Sequence, residues 1–313
     1  MTDLEFIAMQ NSTSVRPSQL TLPGRLFRPG VAALSALAPS LAARLAERLF
    51  LTPPRHPAPA HETAALERAR QTILHAEGEP FTTWTWGHGP AVLLVHDWGG
   101  RGGQLARFVD PLVAGGCSVV TFDAPGHGRS PERQSSIIAF VRAISAVDRM
   151  LGPVCGVIAH SIGAVAAGHA LWEGLDADAA VFIAPPADIV LHSHAVLEII
   201  GFGRRARGRM QERIERRFGV AWSALDMRRY APDMRTPLLV VHDRDDNEAP
   251  WQDGAIIARD WPGAELSLTG GLGHRRILRD RSVVRDATAF VLDNVRPNAA
   301  VPTDEELTAS PVA

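Results

Sequence analysis

The run VCGVIAHSIGAVAAGHAL, from Val154 to Leu171, sets one hydroxyl between two apolar stretches. The first reads as a buried strand and the second resumes in helical spacing, with no loop between them. A bend that tight forces its central residue, Ser161, into a strained backbone conformation and requires small residues two positions to either side. Ala159 and Gly163 are small. The bend lifts the hydroxyl to the end of a sheet and sets it at a helix N-terminus. There the helix dipole and free backbone N–H groups favour developing negative charge. Nucleophilic attack is the chemistry such a serine performs, with a neighbouring base to take its proton.

The elements around it must hold that serine in place. Short apolar runs recur at Ala91–His96, Cys117–Phe122, Val154–His160, Ala179–Ile183, Pro237–His242 and Glu265–Thr269. Amphipathic stretches such as Gln104–Ala114 and Ser135–Met150 lie between most of them. Continuous apolar strands separated by helices predict a parallel sheet covered on both faces. Before it, TILHAEGE and PFTTWTWG alternate in polarity and predict a hairpin. About fifty residues separate the run ending at Ile183 from the one starting at Pro237, far more than a crossover needs. That insertion, about 186–236, includes a helical stretch and is expected to sit as a cap above the strand ends, where open sheets bind ligands. No internal repeat is present.

The bulk numbers exclude several classes. The 313 residues are 46% hydrophobic and 21% charged, with a formal net charge of −2. That length supports one large α/β domain or two modest ones. The balance of charge gives no reason to expect a nucleic-acid partner. Two cysteines make no disulfide framework. The opening MTDLEF is acidic and lacks the apolar core of a secretory signal. An apolar stretch from Pro29 meets Pro39, Arg44, Glu47 and Arg48 before reaching the ~20 residues of a membrane span. A cytoplasmic protein without a membrane span is the expectation.

With Ser161 so placed, the sequence resembles the α/β-hydrolase superfamily, in its serine esterase and lipase branch, over roughly Phe81 to Val295. The pattern G-x-S-x-G stands here as A-H-S-I-G from Ala159 to Gly163. LLVHDWGG (Leu93–Gly100) resembles the loop that follows the third strand, and FDAPGHGRS (Phe122–Ser130) the segment after the fourth. The resemblance implies a mostly parallel eight-stranded sheet with helices on both faces and a small helical cap. It implies an oxyanion hole from the backbone N–H groups of Trp98 and Ile162, with Asp97 departing from the usual glycine. Asp123, His127 and Ser130 are expected to be structural. It also implies an acid and then a base, in chain order after the serine. Among Asp243, Asp245 and Asp246 in LLVVHDRDDNEAP, the family's spacing selects Asp246, with Asp245 as runner-up. His274, between Gly273 and two arginines in GGLGHRRIL, is the expected base.

The function implied is hydrolysis of a small-molecule carboxylic ester by a Ser161–Asp246–His274 triad through an acyl-enzyme, without metal or organic cofactor. A peptidase, thioesterase or carbon–carbon hydrolase could use the same triad, and a non-catalytic binding protein is a rival from another class. Serine at the elbow argues against the branches that use a carboxylate nucleophile. Oligomeric state is not readable.

The remaining features have plain readings. Leu41, Leu45 and Leu49 fall on one face of a helix from Ser40, expected to lie against the main domain, before a Pro53–Pro59 linker. Residues 1–66 read as an extension carrying that helix, 67–298 as the hydrolase domain and 299–313 as a flexible tail. Seven arginines from Arg204 to Arg217 predict a solvated cap face, the alternative being attraction of anionic substrates or lipid headgroups. His192 and His194 lack a carboxylate or cysteine partner at ligand spacing and read as ordinary cap histidines. His160 is expected to pack beside the elbow. The strand order that the resemblance implies sets the third strand between Cys117 and Cys155, which would put them beyond disulfide reach.

Overall fold

The computed structural model describes residues 22–296; the acidic opening and the expected 299–313 tail lie outside them. Eight strands form one sheet: β1 (Arg70–Ala76), β2 (Glu79–Trp86), β3 (Ala91–Val95), β4 (Ser118–Asp123), β5 (Val154–His160), β6 (Ala179–Ile183), β7 (Leu238–Asp243) and β8 (Glu265–Thr269). Their spatial order is β1-β2-β4-β3-β5-β6-β7-β8. The β1–β2 hairpin and the β2–β4 pairing are antiparallel, and every later pairing is parallel. The hairpin turns at Glu77 and Gly78, both at positive φ, as a two-residue loop between right-twisted strands demands.

Alternation divides the central strands between two apolar layers. Leu93, Val95, Val157, Ala159, Ala180 and Phe182 join one. Val92, Leu94, Ile158, Val181 and Ile183 join the other. Numbered in chain order, α1 is Leu22–Leu37, α2 Pro39–Phe50, α3 Ala60–Glu67, α4 Val109–Ala114, α5 Ile137–Leu151 and α6 Ile162–Trp172. The cap follows with α7 (Ile189–Ile200), α8 (Arg204–Phe218) and α9 (Met227–Tyr230); then come α10 (Trp251–Asp260), α11 (Gly273–Arg276) and α12 (Arg281–Asn294). Helices α5, α6 and α10 cover the first layer, and α4 and α12 cover the second. Helix α6 is buried along nearly its whole length, which is why its sequence shows no polar face. At the other extreme β8 is half-exposed, as an outermost strand is.

A third apolar cluster joins the N-terminal helices to the cap. The leucine stripe holds only in part here: Leu45 packs against this cluster, but Leu41 does not. Helix α2 buries Ala42, Ala43 and Ala46, while Leu41 is 55% and Leu49 42% exposed. The alanines face inward because α2 lies against α8, and small side chains permit a close helix–helix approach. The segment after α2 is also held firmly. Leu51 O accepts from the Ser135 amide at 2.8 Å, and the Arg55 guanidinium donates to the carbonyls of Gly126 and Ser130. Strand β3 lies between β4 and β5, which separates Cys155 from Cys117 beside β4. No helix of the described residues is long and apolar enough to cross a membrane.

Candidate active site

Ser161 joins β5 directly to α6 with φ 53° and ψ −121°. That conformation is strained for a residue with a side chain, and the surroundings hold it. The Ser161 amide donates to Ile183 O on the neighbouring strand at 2.9 Å. The need for glycine at 163 is steric: a Cβ there would stand 2.4 Å from His96 O and 2.9 Å from Val95 O. Glycine therefore lets α6 begin against the end of β3. Ile162 is the first residue of α6, so its backbone N–H has no partner within the helix.

Two other loops converge on the hydroxyl. His274 Nε2 lies 3.0 Å from Ser161 Oγ, and His274 Nδ1 lies 2.7 Å from Asp246 Oδ2. The other Asp246 oxygen accepts from the amides of Glu248 and Ala249 at 2.8 and 2.9 Å. His242 Nε2, donating to Ala249 O at 3.1 Å, lies 3.4 Å from Asp246 Oδ2. Burial pushes the Asp246 carboxyl up, but hydrogen bonds from His242 and His274 outweigh it and hold it well below the usual carboxylate range. For His274, burial disfavours the cation, yet the bond to Asp246 and its charge win and raise the imidazole above its ordinary value.

The neighbouring carboxylates do different work. Asp243 accepts from Thr269 Oγ1 at 2.6 Å and from the amides of Leu272 and Gly273 at 3.1 and 2.9 Å. It thereby ties the end of β7 to the loop carrying His274. Asp245 accepts from the Gly271 amide at 2.7 Å and not from the imidazole. The sequence offers Asp243 only as one of three carboxylates considered for the acid; the glycine-rich loop opposite it is the available signal that backbone N–H groups need an acceptor.

The β3 loop supplies Trp98, half-buried beside the elbow. Its fold depends on the segment after β4. Asp123 accepts from the amides of Gly102 and Arg129 at 2.7 and 2.6 Å, and Ser130 Oγ donates to Asp123 O at 2.6 Å. Asp97 is buried, and its Oδ1 has no hydrogen-bond partner. His160 donates from Nε2 to His274 O at 2.9 Å, so its Nδ1 is an acceptor; it lies 3.9 Å from Asp97 Oδ2. Two acceptors face each other there unless Asp97 carries a proton. Burial pushes that carboxyl up to about 6 and holds His160 well below the ordinary imidazole value. Asp97, His160 and His274 bring donor atoms within 4.8 Å of one another. Both His274 nitrogens already have partners, which leaves two free donors, fewer than the three protein ligands of a catalytic zinc site.

Next to Trp98 and Ile162 opens an apolar chamber of about 400 Å³. Leu49 and Phe50 of α2, Val196 and Leu197 of α7, and Ile214 and Phe218 of α8 are among its walls. Phe50 stacks on Trp98 at 6.1 Å between ring centroids and packs on Trp222 of the cap at 5.4 Å. His192, read from sequence as an ordinary cap histidine, lines the chamber, and burial followed by the charge of His274 lowers its pKa to about 4. None of the cap arginines is among the residues that line it. Arg213 pairs with Glu47 at 2.5 Å, Arg209 donates to Ser40 Oγ at 2.6 Å, and Arg207 pairs with Glu198.

Comparison with known proteins agrees with this architecture. The family model described as "Alpha/beta hydrolase family" matches residues 92–287. The chain belongs to the alpha/beta hydrolase family. It is similar in fold to an esterase of Pyrococcus furiosus, with a TM-score of 0.59 at 16% identity over 78% of this chain and 100% of that one. It is similarly related to a bromoperoxidase from Bacillus anthracis, with a TM-score of 0.55 at 17% identity over 72% of this chain and 100% of the other. In sequence, 47 residues are 47% identical to a pimeloyl-[acyl-carrier protein] methyl ester esterase of Chromobacterium violaceum. That match covers 15% of this chain and 18% of the relative's length.

Proposed function

We propose that the protein is a serine hydrolase that cleaves carboxylic esters through an acyl-enzyme, with Ser161, His274 and Asp246 as its triad. The observation that carries this reading is the continuous path from hydroxyl to imidazole to carboxylate, 3.0 Å and 2.7 Å long in its two steps, on a strained elbow. The catalytic domain is assigned to residues 67–298, with the cap at about 186–236.

Ser161 Oγ attacks the ester carbonyl carbon and gives its proton to His274 Nε2. Asp246 fixes the tautomer that leaves Nε2 free to accept, and stabilises the imidazolium once formed. The charge that develops on the carbonyl oxygen is met by the backbone N–H groups of Trp98 and Ile162, each worth on the order of 10²–10³ in rate. The tetrahedral intermediate collapses, the bond to the alcohol oxygen breaks, and His274 returns its proton to that oxygen. Water then attacks the acyl carbon while His274 takes its proton. Ser161 leaves with that proton, and the carboxylic acid is released.

The direct test is hydrolysis of p-nitrophenyl butyrate by the wild type and Ser161→Ala. The expected loss of kcat is on the order of 10⁶, the size seen when a triad serine is removed. Equal rates in the two proteins would refute the reading.

A further inference from the structure

The geometry points to the chamber between α2, α7 and α8 as the binding site for an uncharged aliphatic acyl chain longer than acetyl, with the N-terminal helix α2 as one of its walls. This inference rests on the serine-esterase reading and names its substrate class. Trp98 and Ile162, the two residues whose N–H groups flank the nucleophile in that reading, are among the residues that line the chamber. An acyl group bonded to Ser161 therefore has its tail at the chamber mouth.

The chemistry of the walls selects the tail. Among the described residues lining the chamber there is no Asp, Glu, Lys or Arg. His192 is neutral at pH 7, its pKa lying at about 4. None of the α8 arginines lines the chamber, and Arg213, Arg209 and Arg207 pair with Glu47, Ser40 and Glu198, so an ionised tail would lose its hydration and find no countercharge on the walls. A volume of about 400 Å³ lies within the ~300–1,000 Å³ of small-ligand pockets.

Helix α2 lies outside the 92–287 segment that matches the family. It nevertheless supplies Leu49 and Phe50, and Phe50 bridges Trp98 and Trp222. Chain-length preference is thus set partly by residues that precede the catalytic domain.

The experiment measures kcat/KM for p-nitrophenyl acetate, butyrate, hexanoate and octanoate with the full chain. Each methylene that enters the chamber is worth about fourfold, so hexanoate should exceed acetate by on the order of 10². Methyl hexanoate should likewise be cleaved far faster than monomethyl adipate, whose tail ends in a carboxylate. Val196→Trp or Leu49→Trp, each placing an indole in the chamber from a half-exposed position, should lower the octanoate-to-acetate ratio at least about tenfold. Leu191→Trp, on the same helix but outside the chamber, should leave the ratio unchanged.

A flat or falling series, or equal cleavage of the two methyl esters, overturns the inference. So does an unchanged ratio in both folded chamber variants. Fluorophosphonate labelling of Ser161 separates the two readings. With labelling intact and no chain-length preference, only the acyl-chamber inference fails; with labelling and ester hydrolysis both absent, the serine-esterase reading fails and takes the inference with it.

Discussion

The elbow and the chamber solve opposite problems with opposite materials. At the elbow the backbone decides. Ser161 sits at φ 53°, and a Cβ at position 163 would come within 2.4 Å of a carbonyl oxygen. A residue type is dictated there by contacts a fraction of an ångström wide. Around the chamber, side chains of the consecutive helices α7 and α8 share an apolar space with those of α2, about 140 residues earlier. Volume and polarity matter there, and such packing accepts swaps that conserve them. Under the proposed function, chemistry sits on a rigid sheet and selection among substrates on a wall that can be repacked.

That contrast breaks most visibly at the acid. Asp246→Asn should lower kcat by on the order of 10⁴ in steady-state assays, because the amide stabilises the wrong imidazole tautomer. Asp245→Asn, which touches only the Gly271 amide, should retain far more activity. The reverse ranking would move the triad by one residue. Next in size is Gly163→Ala. Its methyl must displace the His96 carbonyl, and thermal melts should show a loss of about 3 kcal/mol. A melting temperature equal to wild type would mean that the elbow is looser than its geometry.

Glu47→Gln sharpens the comparison from the other side. It weakens the pairing with Arg213 at 2.5 Å, at the seam of α2 and α8, where partly exposed pairs contribute about 1 kcal/mol or less. Melting should shift slightly, and ester hydrolysis should persist. The smallest effect expected is at Asp97. The proposed reaction needs neutral His274, whose pKa is raised, so kcat/KM should fall as pH drops through a value above the ordinary imidazole range. Ionised Asp97 favours the imidazolium; Asp97→Asn should therefore move that acidic limb to lower pH. A limb that moves to higher pH would contradict this arrangement.

The same division explains what could be read from sequence. Strands β5, β6 and β8 match their apolar runs residue for residue, and β3, β4 and β7 differ by a residue or so at their ends. Period and backbone sterics are local, as is the small residue needed at Gly163. The N-terminal helices were another matter. Helix α1, with Pro29 inside it, is not marked by any period strong enough to override the proline. The inward face of α2 was set by α8, against which its alanines pack together with Leu45 while Leu41 turns out to solvent. Most arginines of α8 are exposed, as a solvated face requires; the pairing of Arg213 with Glu47, 166 residues away in the chain, is what the sequence does not reveal. His192 looked ordinary because nothing near it in sequence reveals the chamber it lines.

The most direct measurement is peptide mapping after reaction with a fluorophosphonate, which reacts preferentially with an activated serine. The account predicts a single adduct on Ser161, absent in Ser161→Ala and formed far more slowly in His274→Ala. An adduct on another residue, or labelling undiminished by either substitution, would contradict it.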